Sequence, residues 1–254
     1  MKKLTTLLVA SCVLVGMGSA NAQDGPPTWN PIEIYGCNYV DGADMSDLDG
    51  VIATWNAWMD DNGFNNYAAF VLSPHFTAAS FPYEVLWFGV WPDGAALAGT
   101  QQWLAEGGPV QEDFAEVIAC PLHQAMAMSN LKEIGEVAEG DIVPVEFTDC
   151  TVNEGRIGPE AGGALIEWTE ILTQNGSDAG HWVLRPGPGE EPDADYSFKW
   201  LTAYPSWASA GRDFEFYFNG GGEQRLAQLA SRVFSCDHPR MYNSRLVRNI
   251  ADGD

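Results

Sequence analysis

The sequence contains the same pattern twice. Cys37 is followed 18 residues later by Trp55, and Cys150 is followed 18 residues later by Trp168. Gly42 and Gly155 each stand five residues after their cysteine, and Asn62-Gly63 matches Asn175-Gly176 at one shared offset. After a one-residue gap, Val71-Leu72-Ser73-Pro74 matches Val183-Leu184-Arg185-Pro186, and Trp87 with Pro92 matches Trp200 with Pro205. The series ends with Val117-Ile118-Ala119-Cys120 against Val233-Phe234-Ser235-Cys236. A repeat length above 100 residues means a doubled domain, because solenoid arrays repeat every 20–50 residues. The sequence therefore divides into a leader over 1–22, a first repeat over 23–139 and a second over 140–254.

Each copy predicts the same run of elements. An extended segment opens it, Ile32 to Val40 or Val143 to Val152. A helix follows, with Leu48, Val51, Ile52, Trp55 and Met59 on one face in the first copy. Ala161, Ala164, Leu165, Trp168 and Leu172 take those places in the second. Ser46 with Asp49 fits a helix-capping pair, and the two Asn-Gly steps fit helix stops. Two aromatic and β-branched strands come next, Tyr67–Leu72 with Tyr83–Trp91 and His181–Leu184 with Tyr196–Tyr204. A helix then ends just before the second cysteine, and a short strand closes the copy at Gln124–Ser129 or Met241–Val247.

Strand, helix, strand, strand, helix, strand is the split βαβ, ferredoxin-like unit. Its sheet is covered by two helices on one face and needs a partner on the other. Two units in one chain bury those faces against each other, so the expected fold class is α+β, a single-chain α+β barrel. On this order and duplication, over roughly residues 30 to 250, the chain resembles the dimeric α+β barrel superfamily in tandem form. Members of that superfamily include cofactor-free monooxygenases, haem enzymes such as chlorite dismutases and dye-decolourising peroxidases, isomerases and many proteins without an assigned activity, so the resemblance implies the fold and leaves the activity open.

Topology and duplication also predict how the cysteines pair. Cys12 belongs to the leader, which leaves Cys37, Cys120, Cys150 and Cys236. Three pairings are possible by counting. In a split βαβ unit the last strand lies antiparallel beside the first, which brings the end of one to the start of the other. The expected bridges are thus Cys37–Cys120 and Cys150–Cys236, one inside each copy.

Lys2 and Lys3, an apolar run from Leu7 to Met17 and the sequence Ala20-Asn21-Ala22 form a secretory leader with an A-x-A cleavage site. The apolar run is too short to span a bilayer. Export to a bacterial periplasm or beyond is expected, where disulfides persist. The chain has 12 Lys and Arg against 35 Asp and Glu, a formal charge of −23. Such acidity disfavours nucleic acid and anionic membrane surfaces as partners.

No metal or phosphate-loop motif occurs, so neither a metal nor another cofactor is expected. Asp41, Asp44, Asp47 and Asp49 cluster at a helix start, where carboxylates are favourable without a metal. His123 and His238 follow the second cysteines and would be axial-ligand candidates only under the haem resemblance. Ligand-binding candidates are the aromatic strand residues Trp87, Trp91, Trp200 and Tyr204, with His181 and Lys199 as polar anchors. Lys199 lies mid-strand between Phe198 and Trp200. The expectation is a small apolar or aromatic ligand inside the barrel, with catalysis left open. The alternatives are a non-catalytic exported interaction protein and a haem binder of the same superfamily.

Overall fold

Alternation in the first strand sets the architecture. In β1 (Asn30–Tyr39), Ile32 and Ile34 turn to one face, and Glu33, Tyr35 and Cys37 to the other. The computed structural model describes residues 27–249 except 139 and 193, so the expected leader lies outside the described residues.

The first repeat runs β1, α1 (Met45–Asp61), β2 (Ala68–Phe76), β3 (Val85–Val90), α2 (Ala98–Glu106), α3 (Gly108–Val117) and β4 (Ile118–Lys132). The second runs β5 (Val143–Val152), α4 (Gly158–Gln174), β6 (Gly180–Pro186), β7 (Phe198–Ala203), α5 (Trp207–Asn219), α6 (Gly222–Ala230), β8 (Phe234–Cys236) and β9 (Arg240–Arg248). Within each repeat the strands order 4-1-3-2: β4-β1-β3-β2, and β9-β5-β7-β6. The two sheets join edge to edge at β2–β9 and β4–β6, closing an eight-stranded antiparallel barrel. Among the described residues, closure leaves the barrel no free edge. Inside it, Ile32, Ile34, Leu86 and Phe88 of the first repeat meet Phe147, Leu184, Leu201 and Tyr242 of the second.

The helices pack on the outside. Leu48, Ile52, Trp55 and Met59 of α1 lie against the outer face of the first sheet. Leu165 and Ala161 of α4 lie against the second. Asp44 caps α1, accepting from the amides of Ser46 and Asp47, while Asp47 accepts from the amide of Asp44. The cap is thus two residues earlier than the Ser46–Asp49 pair predicted, because Asp44 is the last extended residue before the helix. Both Asn-Gly steps end their helices, with Gly63 and Gly176 at positive φ. After its third strand each repeat has two helices, α2 with α3 and α5 with α6, where one was expected. Among the described residues, no helix is long and apolar enough to cross a membrane.

Both predicted bridges form. Cys37 is bonded to Cys120 and Cys150 to Cys236. Cys150 and Cys236 are directly opposed partners on β5 and β8. Cys37 and Cys120 face each other where β1 and β4 shift register between Gly36 and Asn38.

Candidate functional site

An apolar-lined cavity of about 370 Å³ lies between the outer face of the first sheet and the helices above it. β1 supplies Glu33 and Tyr35 to its floor, and β3 and the loop after it supply Trp87 and Trp91. Helix α1 lowers Trp55 and Met59 onto that floor, while α2 and α3 roof it with Trp103 and Phe114. The aromatic groups hold one another edge to face. Trp55 meets Trp87 at 4.9 Å, and Trp87 meets Phe114 at 5.8 Å.

Glu33 is the polar centre. Tyr67 donates its hydroxyl to Oε1 at 2.9 Å, and Tyr35 donates to Oε2 at 3.1 Å. The Trp87 indole N–H donates to the Tyr67 oxygen at 3.0 Å, which completes a relay from tryptophan through tyrosine to carboxylate. His123, directly opposite Tyr35 on β4, stacks on its ring at 3.8 Å. Its Nε2 lies 3.5 Å from Glu33 Oε2 at the solvent edge. Burial, together with the Glu33 charge and hydrogen bond, pushes both tyrosine hydroxyls well above the ordinary tyrosine range. They therefore remain donors toward the carboxylate. Trp91 is 4% exposed, and its indole N–H has no partner among the described residues.

The cavity lies outside the barrel, not inside it as the sequence predicts. The barrel interior is packed with side chains, as expected of eight strands. Trp87 and Trp91 do line the cavity, but from the helix-covered face. Trp200 occupies the matching face of the second repeat, packed with Leu165 and Val183. Tyr204 and His181 are buried in that repeat too. Lys199 shares the inward face of β7 with Leu201, at an end of the barrel rather than beside Trp87. It donates to Asp149 at 2.8 Å and lies 3.9 Å from the Tyr196 ring.

The second repeat rebuilds the same position differently. Glu146 stands four residues before Cys150, as Glu33 stands four before Cys37. Tyr204, the counterpart of Trp91, lies beside it. Burial first, with nearby Asp213, pushes the Glu146 carboxyl up to about 7, the Tyr204 hydroxyl acting against the shift. His181 turns Nδ1 to the Thr202 hydroxyl at 3.1 Å, and Nε2 has no partner among the described residues. Burial first, then the Lys132 charge, pushes its imidazole down to about 3. Among the described residues, no group of three or more His, Cys, Asp or Glu could hold a metal ion.

Sequence reasoning missed Glu33, Tyr67, Trp55 and Trp103. Ile-Glu-Ile-Tyr in β1 reads as a strand with one wet face, where a glutamate needs no explanation. The available signal was the duplication itself, which places a glutamate at one offset in both strands that helices must cover.

No family model matches the chain, and no curated protein is significantly similar to it. Solved structures are similar in fold. A monooxygenase-like protein from Lactobacillus acidophilus aligns with a TM-score of 0.55 at 8% identity, covering 88% of this chain and 97% of that one. A mutant chlorite dismutase from Candidatus Nitrospira defluvii aligns with a TM-score of 0.53 at 8% identity, covering 86% and 92%. A haem-binding protein from Thermus thermophilus aligns with a TM-score of 0.50 at 8% identity, also covering 86% and 92%.

Haem does not fit the residues of the cavity. The His123 ring lies flat on Tyr35 with Nε2 turned toward Glu33, so the nitrogen that would bind iron faces a carboxylate. Among the described residues, no lysine or arginine lines the cavity to meet the two propionates. His181 is shut inside the second repeat at 1% exposure. The strand order, the closed barrel and these alignments together establish that the chain has the dimeric α+β barrel fold, with both halves supplied by one polypeptide.

Proposed function

We propose that the chain is an exported binding protein for a small aromatic molecule, held in the cavity of the first repeat with Glu33 as its polar anchor. One observation carries the reading: a hydrogen-bonded carboxylate set into an aromatic cavity large enough for a ligand of two or three fused rings. The leader supports export, and the two disulfides fit an oxidising compartment.

Titrating the chain with 1-naphthol, read by calorimetry and by quenching of tryptophan fluorescence, tests the proposal. One-to-one binding that W103A weakens at least about tenfold is expected, since truncating a buried aromatic contact costs on the order of 1.5 kcal/mol or more. Binding that W103A leaves unchanged, or no binding at all, overturns it.

A further inference from the structure

We infer that the ligand of this cavity is an organic cation, an amine bound in its ammonium form. The inference rests on the cavity reading above and assigns the charge of what occupies it.

Three features select that charge. The walls are faces and edges of indole and phenyl rings, whose negative faces attract cations. Glu33 uses one acceptor position on each oxygen for Tyr67 and Tyr35, and a carboxylate offers about four. His123 Nε2 approaches Oε2 at 3.5 Å, so the acceptor position left on Oε1 is the one an N–H of the ligand would use. Among the described residues, His123 is the one basic side chain that lines the cavity.

The surroundings point the same way. Helices α1, α2 and α3 carry aspartates and glutamates but no lysine, arginine or histidine. In the first repeat after the expected leader, the only lysine or arginine is Lys132. Its ammonium donates to the Ser177 carbonyl in the second repeat. A guanidinium does approach one wall: Arg248 stands 5.8 Å from the Trp55 ring, neutralised by Asp60 at 2.9 Å. The wall thus already receives one cation. An acidic protein also draws cations from solution and repels anions.

Desolvation decides between a cation and a neutral ligand. A purely apolar molecule would strip water from Glu33 and return nothing for it, which is costly for a carboxylate. An ammonium compensates that loss with a charge-assisted hydrogen bond. A carboxylate ligand would set two like charges together with no cation between them.

Three probes of one shape test this: 2-naphthylmethylammonium, 2-naphthalenemethanol and 2-naphthoate, each titrated calorimetrically against the full chain. The ammonium is expected to bind at least about tenfold more tightly than the alcohol, and the naphthoate weakest of all. E33Q, which keeps the shape and removes the charge, is expected to erase the preference for the ammonium over the alcohol. Alcohol and ammonium binding equally to the unaltered chain overturns the inference while the cavity reading stands. Failure of all three to bind overturns both. The comparison on the unaltered chain decides even if E33Q does not fold.

Discussion

The hydroxyl of Tyr67 fills the space that a side chain at Gly89 would need: a Cβ built on Gly89 would overlap that oxygen. Gly89 pairs with Glu33 across β1 and β3, so the missing side chain is what lets the phenol lie flat on the sheet and reach the carboxylate. The Tyr67 side chain is itself buried. G89A is therefore expected to displace the ring and break its bonds to both Glu33 and Trp87. The expected cost is about 1–3 kcal/mol from overpacking, with weakened cavity binding. Urea denaturation followed by tryptophan fluorescence measures it, and a stability change under about 0.5 kcal/mol contradicts the packing described.

Two ionisable groups of the second repeat, Glu146 and His181, give opposite pH dependences. Glu146 has its carboxyl pushed from 4.5 up to about 7. Its proton is favoured in the folded state, so its contribution is full below about 4.5 and is lost as pH rises through about 7. His181 has its imidazole pushed from 6.5 down to about 3. It is folded neutral, so its contribution is present above about 6.5 and is lost as pH falls toward 3. E146Q is expected to stabilise the chain at pH 8 by on the order of 2 kcal/mol and to change little at pH 4. Midpoints of thermal unfolding across that range report it. A variant that gains stability at pH 4 instead reverses the assignment.

What was legible in the sequence is what backbone periodicity and duplication encode. The Cys37-to-Trp55 and Cys150-to-Trp168 spacing fixes two equal units, and their strand patterns fix how the sheets close. The face that bears the site was less legible. In β1, apolar and polar residues alternate as they do in any half-buried strand, and nothing local says that Glu33 lies under helices while Ile32 lies inside a barrel. Phe198, Lys199 and Trp200 misled for the same reason: Lys199 is inward and the aromatics outward. The cavity depends on α2, whose Trp103 approaches from a segment with no strong apolar stripe of its own and no buried residue.

Lys199 belongs to an ion-pair cluster on Asp149. Asp149 receives Lys199 at 2.8 Å and Arg240 at 3.1 Å, so losing the lysine leaves the carboxylate paired. Both partners of the Lys199 pair keep some solvent contact, which screens it. K199M is expected to cost no more than about 1 kcal/mol and to leave 1-naphthol affinity unchanged. Parallel unfolding and titration experiments check both, and a large loss of affinity would return Lys199 to the site.

The two disulfides close loops of nearly equal size, 83 and 86 residues by sequence separation, yet only one borders the cavity. In the chain-entropy model each restricts the unfolded chain by about 4–5 kcal/mol, an upper figure because strain and residual structure reduce it. C37A/C120A and C150A/C236A are therefore expected to lower stability by similar amounts. Their effects on binding should differ. Cys37 and Cys120 lie in the cavity wall beside Ile118 and His123, and their bond ties β1, which carries Glu33, to the start of β4, which carries His123. Removing it frees the edge at which Glu33 meets solvent, and a loss of 1-naphthol affinity of about tenfold is expected. Cys150 and Cys236 tie β5 to the short β8 in the other repeat, outside this wall, and their removal is expected to leave affinity unchanged in the folded protein. Peptide mapping without reductant comes first. A peptide joining Cys37 or Cys120 to Cys150 or Cys236 would refute both the pairing and the two-unit closure that predicts it. Equal loss of affinity in the two double variants would show that the first bridge acts on the cavity only through global stability.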